Sequence, residues 1–161
     1  MRTLLLVPIV SLLACSGSDD ADPSTTDPAI TGCGYDTYDQ IRGADNLDLD
    51  IPETEEGALE DVIIGVWQHV FVMQEGQPLN DVSDNYADIR FAIPDTTTFI
   101  YCQDVSADVD GTNGRALEIV GNKLDIPGAG YTATAWRDDV MVWRNDYWDD
   151  RDEYYVLVRM D

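Results

Sequence analysis

The side chains best equipped for chemistry are one histidine, three cysteines and a dense set of acids. His69 is the only histidine. A general base needs a nucleophile or an orienting carboxylate within reach, and none stands at a telling spacing from it. No Gly-x-Ser-x-Gly elbow occurs. A zinc site takes several His, Cys or carboxylate ligands, so a single histidine argues against one. The expectation is no enzyme, no metal centre and no cofactor. His69 is then a hydrogen-bonded histidine of a core or cavity.

The acids form two clusters. Asp104, Asp108, Asp110 and Asn113 share a stretch with Gly111 and Gly114. Gathered side-chain oxygens suit hard cations. The spacing departs from the EF-hand loop, because Asn113 stands where glycine is required and no closing glutamate follows. An Asp/Gly hairpin loop accounts for the stretch, and calcium stays open. Asp146, Asp149, Asp150, Asp152 and Glu153 surround Trp148 and Arg151. They read as a solvated turn, with a contact for a basic partner as the alternative.

These groups belong to a chain of 161 residues with 9 Lys and Arg against 32 Asp and Glu, a formal net charge of −23. One folded domain is expected at this length. The charge opposes nucleic acid and anionic lipid surfaces. It permits a basic protein partner, a cation or a saline habitat.

Met1-Arg2-Thr3 precedes an apolar run from Leu4 to Leu13, followed by Ala14-Cys15. A basic start, a short apolar run and a small residue at its exit make a secretory signal. The run falls short of the roughly 20 apolar residues a span needs, and it contains Pro8. The exit, Leu12-Leu13-Ala14-Cys15, resembles the lipobox of bacterial lipoproteins. That resemblance implies removal of residues 1–14, lipidation of Cys15 and attachment to the cell envelope by acyl chains. Ser16 after the cysteine favours the outer membrane. Loss of residues 1–14 removes Arg2 and no acid, leaving eight basic and thirty-two acidic side chains, a net charge of −24. With Cys15 assigned to lipid, Cys33 and Cys102 remain as a pair in an oxidising compartment. A disulfide is expected; two unpaired thiols are the alternative.

Residues 15–58 read as an acidic leader, mostly disordered. Residues 16–32 have little to bury. Beyond them Tyr35, Tyr38, Ile41, Leu47, Leu49 and Ile51 are scattered and can lie along the domain in places. Leu59, Val62 and Ile63 are spaced for one or two helical turns.

The folded domain spans residues 59–161. Eight runs rich in β-branched and aromatic residues alternate with turn residues. They are 63–74, 86–93, 98–103, 115–120, 123–126, 131–137, 140–145 and 154–160. Gly121-Asn122 and Asp138-Asp139 are links of hairpin length. Most connections are too short for parallel crossovers. The fold class is therefore all-β, an eight-stranded antiparallel up-and-down barrel, since closure removes exposed edges. Gly65, Trp67, His69, Phe71 and Met73 share one face of the first strand. Val66, Gln68, Val70 and Val72 share the other. Both faces are apolar, so the leader or a small helix is expected over the outside. In the second strand Ile89 and Phe91 face inward, alternating with Asp88 and Arg90.

Gly65-Val66-Trp67 resembles the Gly-x-Trp that opens the first barrel strand of lipocalins. Residues 63–160 as a whole resemble small bacterial lipocalin-like domains. Supporting pieces are Gly121-Asn122-Lys123-Leu124, the Arg137–Val142 hairpin and the last strand Tyr155-Val156-Leu157-Val158-Arg159. The resemblance implies a barrel closed at one end by Trp67 with Arg159 packed across it. It also implies a small apolar ligand inside, with Trp67, His69, Phe71, Ile89 and Phe91 as candidate pocket residues. Inward-facing members of the aromatic set Trp67, Trp136, Trp143, Trp148, Tyr86, Tyr101, Tyr131, Tyr147, Tyr154 and Tyr155 can join them or simply fill the core. A second reading takes the chain as an acidic interaction protein. Phe99-Ile100-Tyr101-Cys102 resembles the Tyr-x-Cys start of the lipoprotein lysozyme inhibitors, and a basic protein target would suit the charge.

Overall fold

The computed structural model describes residues 30–43, 48–83, 88–103, 114–146 and 152–160. Residues 1–29, among them Cys15 and the run expected to be a signal, the stretch from Asp104 to Asn113, and residues 147–151 around Trp148 lie outside them. A one-turn helix α1 (Leu59–Val62) precedes ten strands. These are β1 (Gly65–Gln74), β2 (Asn80–Asp81), β3 (Ile89–Asp95), β4 (Thr98–Gln103), β5 (Arg115–Ala116), β6 (Glu118–Val120), β7 (Lys123–Ile126), β8 (Ala129–Arg137), β9 (Val140–Asn145) and β10 (Glu153–Arg159).

All pairings between these strands are antiparallel, in the order β5-β4-β3-β1-β10-β9-β8-β7-β6, with β2 added beside β1. The two ends of this path, β5 and β6, are consecutive in the chain and separated by Leu117 alone. The sheet therefore rolls into a nearly closed barrel. The expected eight strands become ten for two local reasons. The fourth run changes partner midway: Thr98 and Phe99 of β4 pair with β5, while β6 pairs with β7. Leu117 sits at the handover, its amide donating to Thr97 O at 2.8 Å. In addition, β1 outruns β3, and the vacant flank at Phe71 and Val72 is taken by β2. At the β6–β7 link Gly121 has φ 64°, a left-handed conformation that a two-residue hairpin requires and glycine adopts without strain.

The interior is packed by Trp67, Phe91, Phe99, Leu124, Trp143 and Leu157 among others. Two further apolar clusters lie outside the barrel. Val66, Ala92, Ile100 and Cys102 pack with Ile30, Cys33, Tyr35 and Tyr38. Val70, Phe71, Val140 and Val156 pack with Ile41, Leu49 and Ile51. This explains why β1 is apolar on both faces: one faces the core and the other faces the leader.

Residues 30–43 and 48–58, expected within a mostly disordered tether, instead lie along the barrel wall. Cys33 and Cys102 form a disulfide, with Cα atoms 6.3 Å apart. Arg90 points outward from β3 yet is 1% exposed, because the leader covers it. Its guanidinium donates to the carbonyls of Cys33 (3.2 Å), Gly34 (3.0 Å) and Tyr38 (3.1 Å) and pairs with Asp88 at 2.6 Å. The Tyr35 ring stacks over it, 4.4 Å away. Gln68 makes a reciprocal pair with the backbone of Ile41, accepting from its amide and donating to its carbonyl at 2.6 Å each. Buried polar groups need such partners, so the leader is what allows Arg90 and Gln68 on the barrel wall. Among the described residues no helix is long and apolar enough to cross a membrane.

Candidate functional site

The two ends of the barrel differ. At one end β1 begins and β10 finishes, with Trp67 opposite Arg159 in register. The Arg159 guanidinium lies 4.5 Å from the centre of the Trp67 ring. It also donates to the carbonyls of Val62, of Ile64 (2.7 Å) and of Asp138 (2.5 Å). Two of those carbonyls lie at or just beyond the end of α1, where unpaired acceptors and the helix dipole favour a cation. Trp67 Nε1 donates to Ile63 O at 2.9 Å. The helix, the indole and the guanidinium thus cap this end as one unit.

The opposite end opens into a pocket of about 310 Å³. It forms where β3, β5, β8 and β10 begin and where β4 and β9 end. Phe91, Phe99 and Tyr101 make one wall, with Phe91 5.5 Å from Phe99 and 5.8 Å from Tyr101. Tyr131 and Tyr155, 5.9 Å apart, make another. Trp143 lies behind them in the core, 5.3 Å from Tyr131 and 5.5 Å from Phe91. Such spacings are those of favourable offset and edge contacts between rings. Ile89 and Ala129 complete the apolar lining, and His69, Asn145 and Arg115 bring polar groups to it.

The polar groups are held in defined states. His69 is 6% exposed, its ring centre 4.2 Å from that of Tyr155. Burial pulls its pKa down from 6.5 to about 4, only partly opposed by the hydrogen bond to Phe71. Nε2 lies 3.2 Å from Phe71 O. A carbonyl only accepts, so neutral His69 carries its proton on Nε2. Burial, and then the neighbouring Tyr101, push the Tyr131 phenol up to about 12. Burial and the charge of Glu153 raise the Tyr155 phenol too. Both stay protonated near neutral pH. Asn145 Nδ2 donates to the Tyr155 hydroxyl at 2.8 Å, which fixes that ring's polar tip. The pocket can surround an apolar body and present hydroxyl and guanidinium donors to its polar end.

Of the five expected pocket residues, His69, Ile89 and Phe91 line the cavity. Trp67 and Phe71 do not. Trp67 belongs to the capped end, two residues up the same face from His69. Phe71 is turned out by a β-bulge: the β1–β10 register shifts between His69 and Phe71. A single extra residue reverses the face of everything beyond it, so Phe71 and Met73 join the outer cluster. A bulge has no signature in an apolar run such as His69-Val70-Phe71-Val72. Phe99, Arg115 and Asn145 were not singled out. Phe99 and Tyr101 share a face by alternation, and the pairing of Phe91 with Tyr101 sets that face inward. That phase was readable once β3 had been oriented.

No family model, curated protein or solved structure matches the chain.

Proposed function

We propose that this chain is a lipid-anchored lipoprotein of the bacterial cell envelope whose lipocalin-like barrel binds a small, largely apolar molecule. The observation that carries the reading is the open aromatic pocket of about 310 Å³ at the end opposite the Trp67–Arg159 cap. Ligand sites are concave, mostly apolar and furnished with a few placed polar groups, over a range of about 300–1,000 Å³. Binding removes apolar surface of ligand and wall from water, about 25 cal/mol per Å² before the costs of association. The lipobox resemblance at Cys15 supports the anchor and the outer membrane as address. The disulfide supports an oxidising compartment.

Native mass spectrometry of the gently purified chain tests the proposal. A discrete added mass that leaves on denaturation supports it, as does uptake of an apolar fluorophore by the emptied protein. A bare mass with no uptake would overturn it.

A further inference from the structure

Resting on the pocket reading above, we infer that the ligand is a small monoanionic amphipath. A carboxylate head meets Arg115, and a flat, ring-bearing apolar body lies between the aromatic walls. The chain has 32 acidic and 9 basic side chains, yet among the described residues no Asp or Glu lines the pocket. Arg115 is the one lining residue that carries a charge at neutral pH. Arg90, Arg137 and Arg144 each hold a carboxylate. Among the described residues Arg115 makes no ion pair, and its guanidinium reaches only the Pro127 carbonyl at 3.5 Å.

A guanidinium matches a carboxylate with two parallel donors. Here the guanidinium is solvent-exposed at the rim of the aromatic pocket, so water screens the attraction and the gain is modest. Tyr101 and Tyr131 line the same pocket as Arg115, and its charge acts on both phenols. Tyr131, protonated, is a third donor for the same head. The net charge of the chain repels anions at long range, so this selection is local. A cation would suit the net charge and the aromatic faces, but it would have to pass Arg115. Size narrows the class further. The pocket holds about the volume of ten liquid waters, enough for a bicyclic ring with its head and too little for a long acyl chain.

Three probes with one ring system and three head charges separate these features: 2-naphthoate, 2-naphthalenemethanol and 2-naphthylmethylammonium. Calorimetric titration of the purified full chain is expected to rank them in that order. Naphthoate should exceed the alcohol by about fivefold, a moderately screened ion pair, and added salt should shrink the gap. Arg115→Gln should abolish the gap, with naphthoate losing more affinity than the alcohol. Arg115→Lys should restore part of it. Equal binding of all three, or tightest binding of the ammonium, would overturn the anion assignment and leave the pocket standing. Failure of all three to bind would overturn both.

Discussion

His69 ties one side chain's environment to the stability of the whole. Its pKa is lowered from 6.5 to about 4 in the folded protein. Between those values the unfolded chain takes up a proton that the folded chain refuses. Stability is therefore full above pH 6.5 and falls as the pH drops through that window. The loss attributable to His69 is about 3 kcal/mol by pH 4. Urea unfolding at pH 7 and pH 4 should show that excess loss in the parent and not in His69→Phe. Arg90 is the second residue on which much depends. Arg90→Ala leaves the Asp88 carboxylate and three leader carbonyls without their donor. Removing one partner of a buried pair costs about 3–5 kcal/mol, and a lowered urea midpoint with unchanged slope would register it. Trp67→Ala empties the capped end and should cost about as much, again read from the urea midpoint.

The leader is the element that most changes the picture drawn from sequence. Its apolar residues have no period, because they dock one by one onto a wall that other strands supply. Ile41 finds Gln68, Tyr35 finds Arg90, and Ile51 finds the cluster around Phe71. Nothing local in residues 30–58 announces those partners. The strands were legible for the opposite reason: alternation and turn residues are local signals, and every expected run overlaps a strand. The handover at Leu117 and the bulge beside Val70 were not, since each depends on which neighbour a strand meets. The disulfide was legible by counting cysteines, and it joins the leader to β4. In the chain-entropy model, closing a loop with sequence separation 69 contributes about 4 kcal/mol. Changing both Cys33 and Cys102 to serine should lower stability by up to that amount. It should also expose residues 30–58 to limited proteolysis while the barrel from residue 59 onward survives. Cleavage at equal rates in the oxidised and serine forms would show that the docking contacts alone hold the leader.

Across the whole molecule, capping one end and opening the other gives the barrel a direction. A ligand in the open end should stabilise without touching the cap. At a hundred times its dissociation constant, 2-naphthoate should add about 2.7 kcal/mol, seen as a rise in melting temperature that Arg115→Gln diminishes. The clamp between Cys33 and β4 has a geometric corollary for a protein held at Cys15. Measured to the first helix, the leash would run from residue 15 to residue 58 and reach about 150 Å when taut. Measured to the disulfide, it ends at residue 33 and reaches about 60 Å. In the anchored form proposed above, one covalent bond would set the outer limit of the tether at less than half the first of these lengths. A pull along the leash would then enter β4 through Cys102.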